Sequence, residues 1–297
     1  MPSRMYCSNR REFLGASLAT AAGGAAIASA QPALAADWRA AGDHVKQSVV
    51  HWCFKPLSVE ELARAAAGMG LKSVELVAPE EWSTLKKHGL VCAITPSHGF
   101  VRGLNDKAHH PECLDALRKA IAASGDAGFP NVITFSGMRG DISDAQGIAN
   151  MVEGLKQVVG LAEQRQVTIC IEMLNSRVAE EMKGHPGYQC DKLEWAAEVC
   201  DRVGSPRVKI LFDIYHVQIM QGDVIARIRQ FKDYLGHIHT AGVPGRNELD
   251  DTQELNYRPI IEALVEVGYN GYVGQEFIPK NPDALASLRA AAQLCDV

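Results

Sequence analysis

Lys209-Ile210-Leu211-Phe212-Asp213-Ile214-Tyr215-His216 reads as a buried β-strand with an acid at its end and a histidine just beyond it. An apolar strand that ends in polar, ligand-like side chains is how the working end of a parallel barrel looks from within one strand. The expectation to test is that the rest of the chain repeats this unit.

It does so with regularity. Short apolar or β-branched runs at 47–53, 73–77, 91–95, 131–136, 167–174, 208–214, 236–241 and 271–277 alternate with segments of helical period at 58–69, 112–127, 143–165, 191–203, 223–234, 257–267 and 282–294. Ser58 with Glu61 three residues on forms a capping box, and Gly70, Gly128, Gly204 and Gly268 stand where helices need a left-handed stop. Eight strands joined by helices predict an α/β protein of (β/α)8 TIM barrel type. The stretches after two of the strands, 96–111 and 175–190, are long, polar and rich in Gly, His and Pro, whereas most returns are short. Long loops at one end of the barrel predict a single active face.

The first residues differ in kind. Ser8-Asn9-Arg10-Arg11-Glu12-Phe13-Leu14 precedes an Ala/Gly-rich run and Ala33-Leu34-Ala35, the pattern of a twin-arginine signal peptide spanning 1–35. A membrane anchor is the competing reading, but the run is too weakly apolar for the roughly 20 residues a bilayer span needs. The expected organisation is therefore a signal at 1–35 and one barrel domain at 36–297, exported by the twin-arginine machinery to the periplasm, with no membrane span in the mature chain. Removing 1–35 takes away three arginines and one glutamate and moves the formal charge from −5 to about −7. An acidic chain without a basic run disfavours a nucleic-acid partner. Of eight cysteines, Cys7 lies in the signal, and Cys92 and Cys170 fall inside apolar strand patterns, so no obligatory disulfide is expected.

Four successive strands end in metal-competent side chains: Glu172, Asp213, His239 and Glu276. Their separations of 41, 26 and 37 residues are each about one βα unit, which sets them side by side on one rim. One such acid alone is more often a helix cap or an ion-pair partner. Three crowded carboxylates with one imidazole would repel strongly without a compensating cation, and an oxygen-rich set of this kind suits one divalent ion, Mn²⁺, Mg²⁺ or Co²⁺. Strand period places both His237 and His239 inside the barrel, with His237 a layer deeper, in a hydrogen-bonding role. Arg246, in Gly242-Val-Pro-Gly-Arg246, is expected to aim back over the rim, and His216 to lie in the loop after its strand; both could bind substrate oxygens. His98 and Trp52 are candidate pocket residues, with Phe54 beside Trp52 as a second wall. His109, His110 and His185 are expected at the surface or in a lid. Lys209 shares the face of Asp213, one step deeper, in reach of a carboxylate.

Phe212-Asp-Ile-Tyr-His-Val-Gln-Ile-Met-Gln-Gly-Asp223, Gly236-His-Ile-His239 through Val243-Pro-Gly-Arg246, and Gly268-Tyr-Asn-Gly-Tyr-Val-Gly-Gln-Glu276 resemble the hydroxypyruvate isomerase family within the xylose-isomerase-like TIM barrels, over about residues 47–280. The resemblance implies Glu172, Asp213, His239 and Glu276 as metal ligands, Glu172 and Glu276 as the acid/base pair, and His216 and Arg246 as substrate contacts. It implies an isomerase for a small sugar or hydroxy-keto acid, with a ketose 3-epimerase or a 3-keto-glycoside lyase or hydrolase as alternatives. His239 departs from the Gln that hydroxypyruvate isomerases carry and matches ketose epimerases, and Glu248-Leu-Asp-Asp-Thr-Gln-Glu254 replaces a Gly-rich link. A nuclease of the same superfamily would be expected to carry more histidines, and 248–251 has none. A periplasmic binding protein without turnover is the remaining alternative. A homo-oligomer is compatible with all of these.

Overall fold

The computed structural model describes residues 38–41 and 44–297. The proposed signal peptide lies outside the described residues. Eight strands follow in order among them: β1 Lys46–Val50, β2 Ser73–Glu75, β3 Ile94–Thr95, β4 Asn131–Thr134, β5 Thr168–Glu172, β6 Val208–Asp213, β7 Leu235–Thr240 and β8 Tyr272–Gln275. All pair in parallel in the order β2-β1-β8-β7-β6-β5-β4-β3. The remaining gap, between β2 and β3, is bridged by main-chain bonds such as Val74 N to Val91 O at 3.2 Å and Leu76 N to Ile94 O at 3.0 Å. The barrel is thereby nearly closed, and the predicted fold class is the observed one.

Around it run α1 Val59–Gly68, α2 Trp82–Lys87, α3 His110–Ala127, α4 Asp144–Leu155, α5 Val159–Arg165, α6 Leu193–Val203, α7 Ile214–Met220, α8 Val224–Gln230, α9 Tyr257–Glu266 and α10 Ala284–Leu294. The capping box at Ser58 and Glu61 forms, and Gly70, Gly128, Gly204 and Gly268 all have positive φ. Two sequence expectations change. The single helix expected over 143–165 is divided by a turn into α4 and α5, and the stretch after β6 is the helix α7 rather than a loop. Strand ends also fall short of the apolar runs, because residues such as His51–Phe54 leave the sheet in a 3-10 turn.

Side chains pack the barrel interior in layers. Ile94, Ile133, Cys170 and Leu211 form an apolar plug that closes the centre below the rim. One step further along the strands the interior turns polar, with Glu75, Glu172, Asp213 and His239. The plug withholds water from one side of that layer, so its polar groups must satisfy one another or a ligand. Lys209 lies below the plug and donates to the main-chain oxygen of Asp233 at 2.5 Å, not to a carboxylate. All seven cysteines among the described residues are buried free thiols. No helix among these residues is long and apolar enough to cross a membrane.

Ser58 Oγ accepts from Glu61 N, and Glu61 Oε2 accepts from Ser58 N at 2.9 Å. Replacing Ser58 by Ala is expected to cost about 1 kcal/mol, read as a lower urea midpoint at unchanged slope. An unchanged midpoint would show the cap contributes nothing.

Candidate metal centre and pocket

The strands deliver the four predicted ligands to one place. Glu172 ends β5, Asp213 ends β6, His239 lies opposite Asp213 in the β6/β7 register, and Glu276 follows β8 with its N–H bonded to Thr240 O at 2.9 Å. One ligand atom from each of the four lies within 4.8 Å of all the others, and all four residues are buried. Asp213 serves two purposes. Its Oδ1 accepts from Tyr215 N at 2.8 Å and His216 N at 3.2 Å, capping α7, while Oδ2 is turned to the centre, 3.6 Å from Arg246 Nη2.

The donor set suits a divalent ion. His239 Nε2 is committed to a carboxylate outside the group, that of Glu75, at 2.9 Å. Its Nδ1 lies 2.9 Å from Glu276 Oε2 and 4.0 Å from Glu172 Oε1, a buried nitrogen turned to the carboxylates of the group. That is the atom a cation would use, together with one oxygen from each acid.

Without a cation the charges are mutually unfavourable, and the ionisation of each group records it. Burial, then the negative charge of Glu276, pushes the Glu172 carboxyl well above the usual range. Burial and Glu276 also push Asp213 up to about 7, against the pull of Arg246. Glu276 itself, despite burial, is held well below the usual range by His239 and Arg246. His239 is raised well above its ordinary value, against its burial, by Glu276 and Glu75.

Arg246 reaches this cluster as the turn predicted. The Gly242–Asn247 bridge and positive φ at Gly245 and Arg246 fold the segment back over the rim. Its Nη2 donates to Glu276 Oε2 at 2.6 Å, its Nη1 donates to Met182 O at 2.9 Å, and the guanidinium lies 5.2 Å from the Trp52 ring and 5.6 Å from the Tyr215 ring. His216 stands on α7, completely buried. Its Nδ1 accepts from Asn175 N at 3.0 Å, so the proton sits on Nε2, which has no partner and lies 3.6 Å from Asp213 Oδ2. Burial, then Arg246, keeps this imidazole well below its usual range and hence neutral.

A cavity of about 270 Å³ opens onto Glu172, Glu276 and Arg246. Trp52 and His98 line it, as expected from the sequence. Trp52 is more than a wall, since its indole N–H donates to Glu276 Oε1 at 3.2 Å. His98 offers the cavity no free nitrogen: Nε2 meets Thr134 Oγ1 at 2.9 Å and Nδ1 the main-chain oxygens of Gly99 and Arg102. Phe54 is fully buried against Phe277 and takes no part. Of the loop histidines, His110 is not at the surface but buried at the start of α3, bonded to Leu104 O at 3.0 Å. His185 lines the cavity from the 175–190 loop, its ring 4.4 Å from that of Phe100. The residue missed in the sequence is Glu75, at the end of β2, whose Oε2 meets both His237 Nε2 and His239 Nε2 at 2.9 Å. It carries the same signal as Glu172 and Asp213, an acid closing a short strand.

Residues 63–294 match the xylose isomerase-like TIM barrel family, and the chain belongs to that family. It is similar to a human protein provisionally named hydroxypyruvate isomerase, 30% identical over 244 residues that cover 82% of this chain and 83% of the relative. It is likewise 30% identical over 229 residues to the 2-oxo-tetronate isomerase of Cupriavidus necator, covering 73% of this chain and 85% of that one. Among solved structures, an AP endonuclease of family 2 from Brucella melitensis superposes with a TM-score of 0.72 at 24% identity, over 83% of this chain and 96% of its own. The 3-keto-D-glucoside 4-epimerase of E. coli does so with 0.70 at 19%, over 84% and 98%. At these identities the two superpositions show the shared fold.

The raised pKa of Asp213 has a consequence for stability. With its folded value near 7 and an unfolded value near 3.9, the folded protein binds the extra proton between them. The contribution of Asp213 to the stability of the cation-free protein should therefore fall as pH rises from about 4 to 7, with Glu172 acting in the same direction and the lowered imidazoles of His185 and His216 acting against both. Asp213→Asn keeps the α7 cap and removes this term, so the stability of the wild type minus that of the variant, from denaturant unfolding, should fall across the window. A difference that rises with pH would contradict the charge assignment.

Proposed function

We propose that the protein is a divalent-metal-dependent isomerase of a small hydroxycarbonyl compound or sugar, and that Glu172 and Glu276 exchange a carbon-bound proton through an enediolate. The observation that carries this reading is the convergence of Glu172, Asp213, His239 and Glu276 within 4.8 Å, with Glu172 and Glu276 lining the cavity. The names of the relatives, hydroxypyruvate isomerase and 2-oxo-tetronate isomerase, support the reaction class. Glu172, Asp213, His239 and Glu276 would hold Mn²⁺, Mg²⁺ or Co²⁺, which when bound polarises the carbonyl and neighbouring hydroxyl of the substrate and acidifies the C–H between them.

The protein's own groups account for the remaining steps. Trp52 and Arg246 fix the two oxygens of Glu276, so the carboxylate meets the substrate in one orientation. One of the two glutamates takes the proton, and the same or the opposite one returns it to the neighbouring carbon or to the other face. His216, neutral with its proton on Nε2, is placed to donate to a substrate oxygen beside Asp213. Arg246 supplies the positive charge next to the enediolate oxygen. Phe100, Phe135, Leu174 and Met182 line the cavity with apolar surface that disfavours water beside the carbanionic intermediate.

A second reading is favoured by the cavity wall. Away from Glu172 and Glu276 it is mostly apolar, with Leu76, Phe100, Ile133, Phe135, Leu174 and Met182 beside the polar Ser97, His98 and His185, and its one permanent cation is Arg246, already paired with Glu276. A substrate carboxylate would find no free counter-charge there. This favours a neutral sugar, as in a ketose 3-epimerase or a lyase of 3-keto-glycosides, over a keto acid, and the kinship in fold with the 3-keto-D-glucoside 4-epimerase agrees with it. We also propose, from the sequence, that Arg10 and Arg11 direct twin-arginine export to the periplasm. Changing both to Lys should leave the protein in the cytoplasm, and undiminished periplasmic recovery would refute the signal.

The chemical proposal is tested by solvent exchange in heavy water with a panel of ketoses, hydroxypyruvate and 3-keto-glycosides, using the Mn²⁺-loaded protein. Glu276→Gln should slow deuterium incorporation by about 10²–10⁴-fold, and chelation should stop it. Exchange at the wild-type rate in a folded, metal-loaded Glu276→Gln variant would remove Glu276 from the acid/base role.

A further inference from the structure

We infer that Glu75 is a positioning residue that holds His239 with Nδ1 turned to the metal centre. This inference rests on the reading of Glu172, Asp213, His239 and Glu276 as a metal site. Glu75 belongs to β2, while His237 and His239 belong to β7, two strands removed across β1 and β8. Its side chain therefore crosses the interior of the barrel to reach them. Gly274 on β8 leaves the room: a Cβ there would come within 2.7 Å of Glu75 Oε2 and 2.9 Å of His239 Cδ2. A glycine inside a strand commonly marks such a close approach.

The hydrogen bonds set the direction of each ring. Asn131 Nδ2 lies 3.4 Å from His237 Nδ1 and donates to it, so the proton of His237 is on Nε2, which points to Glu75 Oε2. His239 Nε2 points to the same oxygen, also at 2.9 Å. A carboxylate only accepts hydrogen bonds, so both Nε2 atoms carry protons. This directs Nδ1 of His239, 2.9 Å from Glu276 Oε2, at the carboxylates of the metal centre. The same three residues are also close enough to hold a cation of their own. The shared acceptor argues otherwise, because ligation there would require both Nε2 protons to leave. Metal-bound histidines commonly rely on such a carboxylate, and its loss typically weakens metal binding about 10–100-fold.

Glu75→Gln keeps the size but replaces the charged acceptor by a neutral one. An amide oxygen in the place of Oε2 holds the two Nε2–H groups more weakly than the carboxylate does, so His239 loses its fixed direction. The test combines two measurements. Mn²⁺ and Mg²⁺ affinities of wild type and Glu75→Gln are determined by calorimetry, with circular dichroism to establish that the variant is folded. In parallel, ¹⁵N-histidine-labelled wild type is observed by NMR for downfield imidazole N–H protons, with Mg²⁺ absent and present. The expected result is a 10–100-fold weaker affinity at unchanged stoichiometry of one ion, with two Nε2–H resonances in the wild type that persist when Mg²⁺ is added. Loss of both resonances on adding Mg²⁺ would place the ion on Glu75, His237 and His239 and overturn the role. Wild-type affinity in the folded variant would overturn it alone, whereas absence of any cation uptake by the wild type would overturn the metal reading first. The resonances need no variant, so a Glu75→Gln chain that fails to fold leaves the wild-type NMR arm decisive.

Discussion

Four carboxylates, those of Glu75, Glu172, Asp213 and Glu276, are buried at one end of the barrel, and the guanidinium of Arg246 reaches only Asp213 and Glu276. Burying a charge without compensation is among the largest costs a fold can carry. Much of the local structure serves to divide that charge. Glu75 spends one oxygen on two imidazoles, and His237 and then His239, by field and hydrogen bond, hold it at about 2 against the effect of burial. Asp213 spends an oxygen on the amino terminus of α7. Glu276 takes Arg246 and Trp52, and Glu172 has burial and like charge against it. One divalent cation added to this cluster would bring it close to neutrality, which is the physical reason the metal and the fold belong to one account.

The scaffold makes the cluster affordable only at the rim. Below it, Ile94, Ile133, Cys170 and Leu211 fill the centre with apolar volume, and above it the cavity gives a substrate direct access to Glu172 and Glu276. Arg246 links the two regions, because the same guanidinium that pairs with Glu276 also holds Met182 O of the 175–190 loop. Asn175 and Tyr215 fasten the same loop through Lys183 O at 2.8 and 2.9 Å. The covering loop and the charged centre are therefore mechanically one unit.

The barrel and the convergence of its four candidate ligands are legible because their signals are local and periodic. An apolar strand, an acid or histidine at its end, and one βα unit to the next such strand are all visible along the chain at Glu172, Asp213, His239 and Glu276. Glu75 displays the same local signal but was not singled out, since its partners lie 162 and 164 residues away and meet it only across the closed interior. His216 reads as a loop residue in the sequence because its helix, Ile214–Met220, is only seven residues long and its cap, Asp213, has the look of a ligand. His185 and His110 looked alike in the sequence, each in a polar stretch. One was drawn to Phe100 and the cavity, the other into the core by Leu104 O, and only the tertiary arrangement decides between them.

The central claim is that the rim cluster binds a divalent cation in place of protons it otherwise retains. Calorimetric titration of Mn²⁺ into the cation-free protein at pH 7, repeated in buffers of different ionisation enthalpy, counts both ions and protons. One ion bound per chain with net proton release is the predicted result, since Asp213, Glu172 and His239 are all held toward their protonated forms until the cation arrives. No uptake of Mn²⁺, or uptake without any proton release, would contradict it.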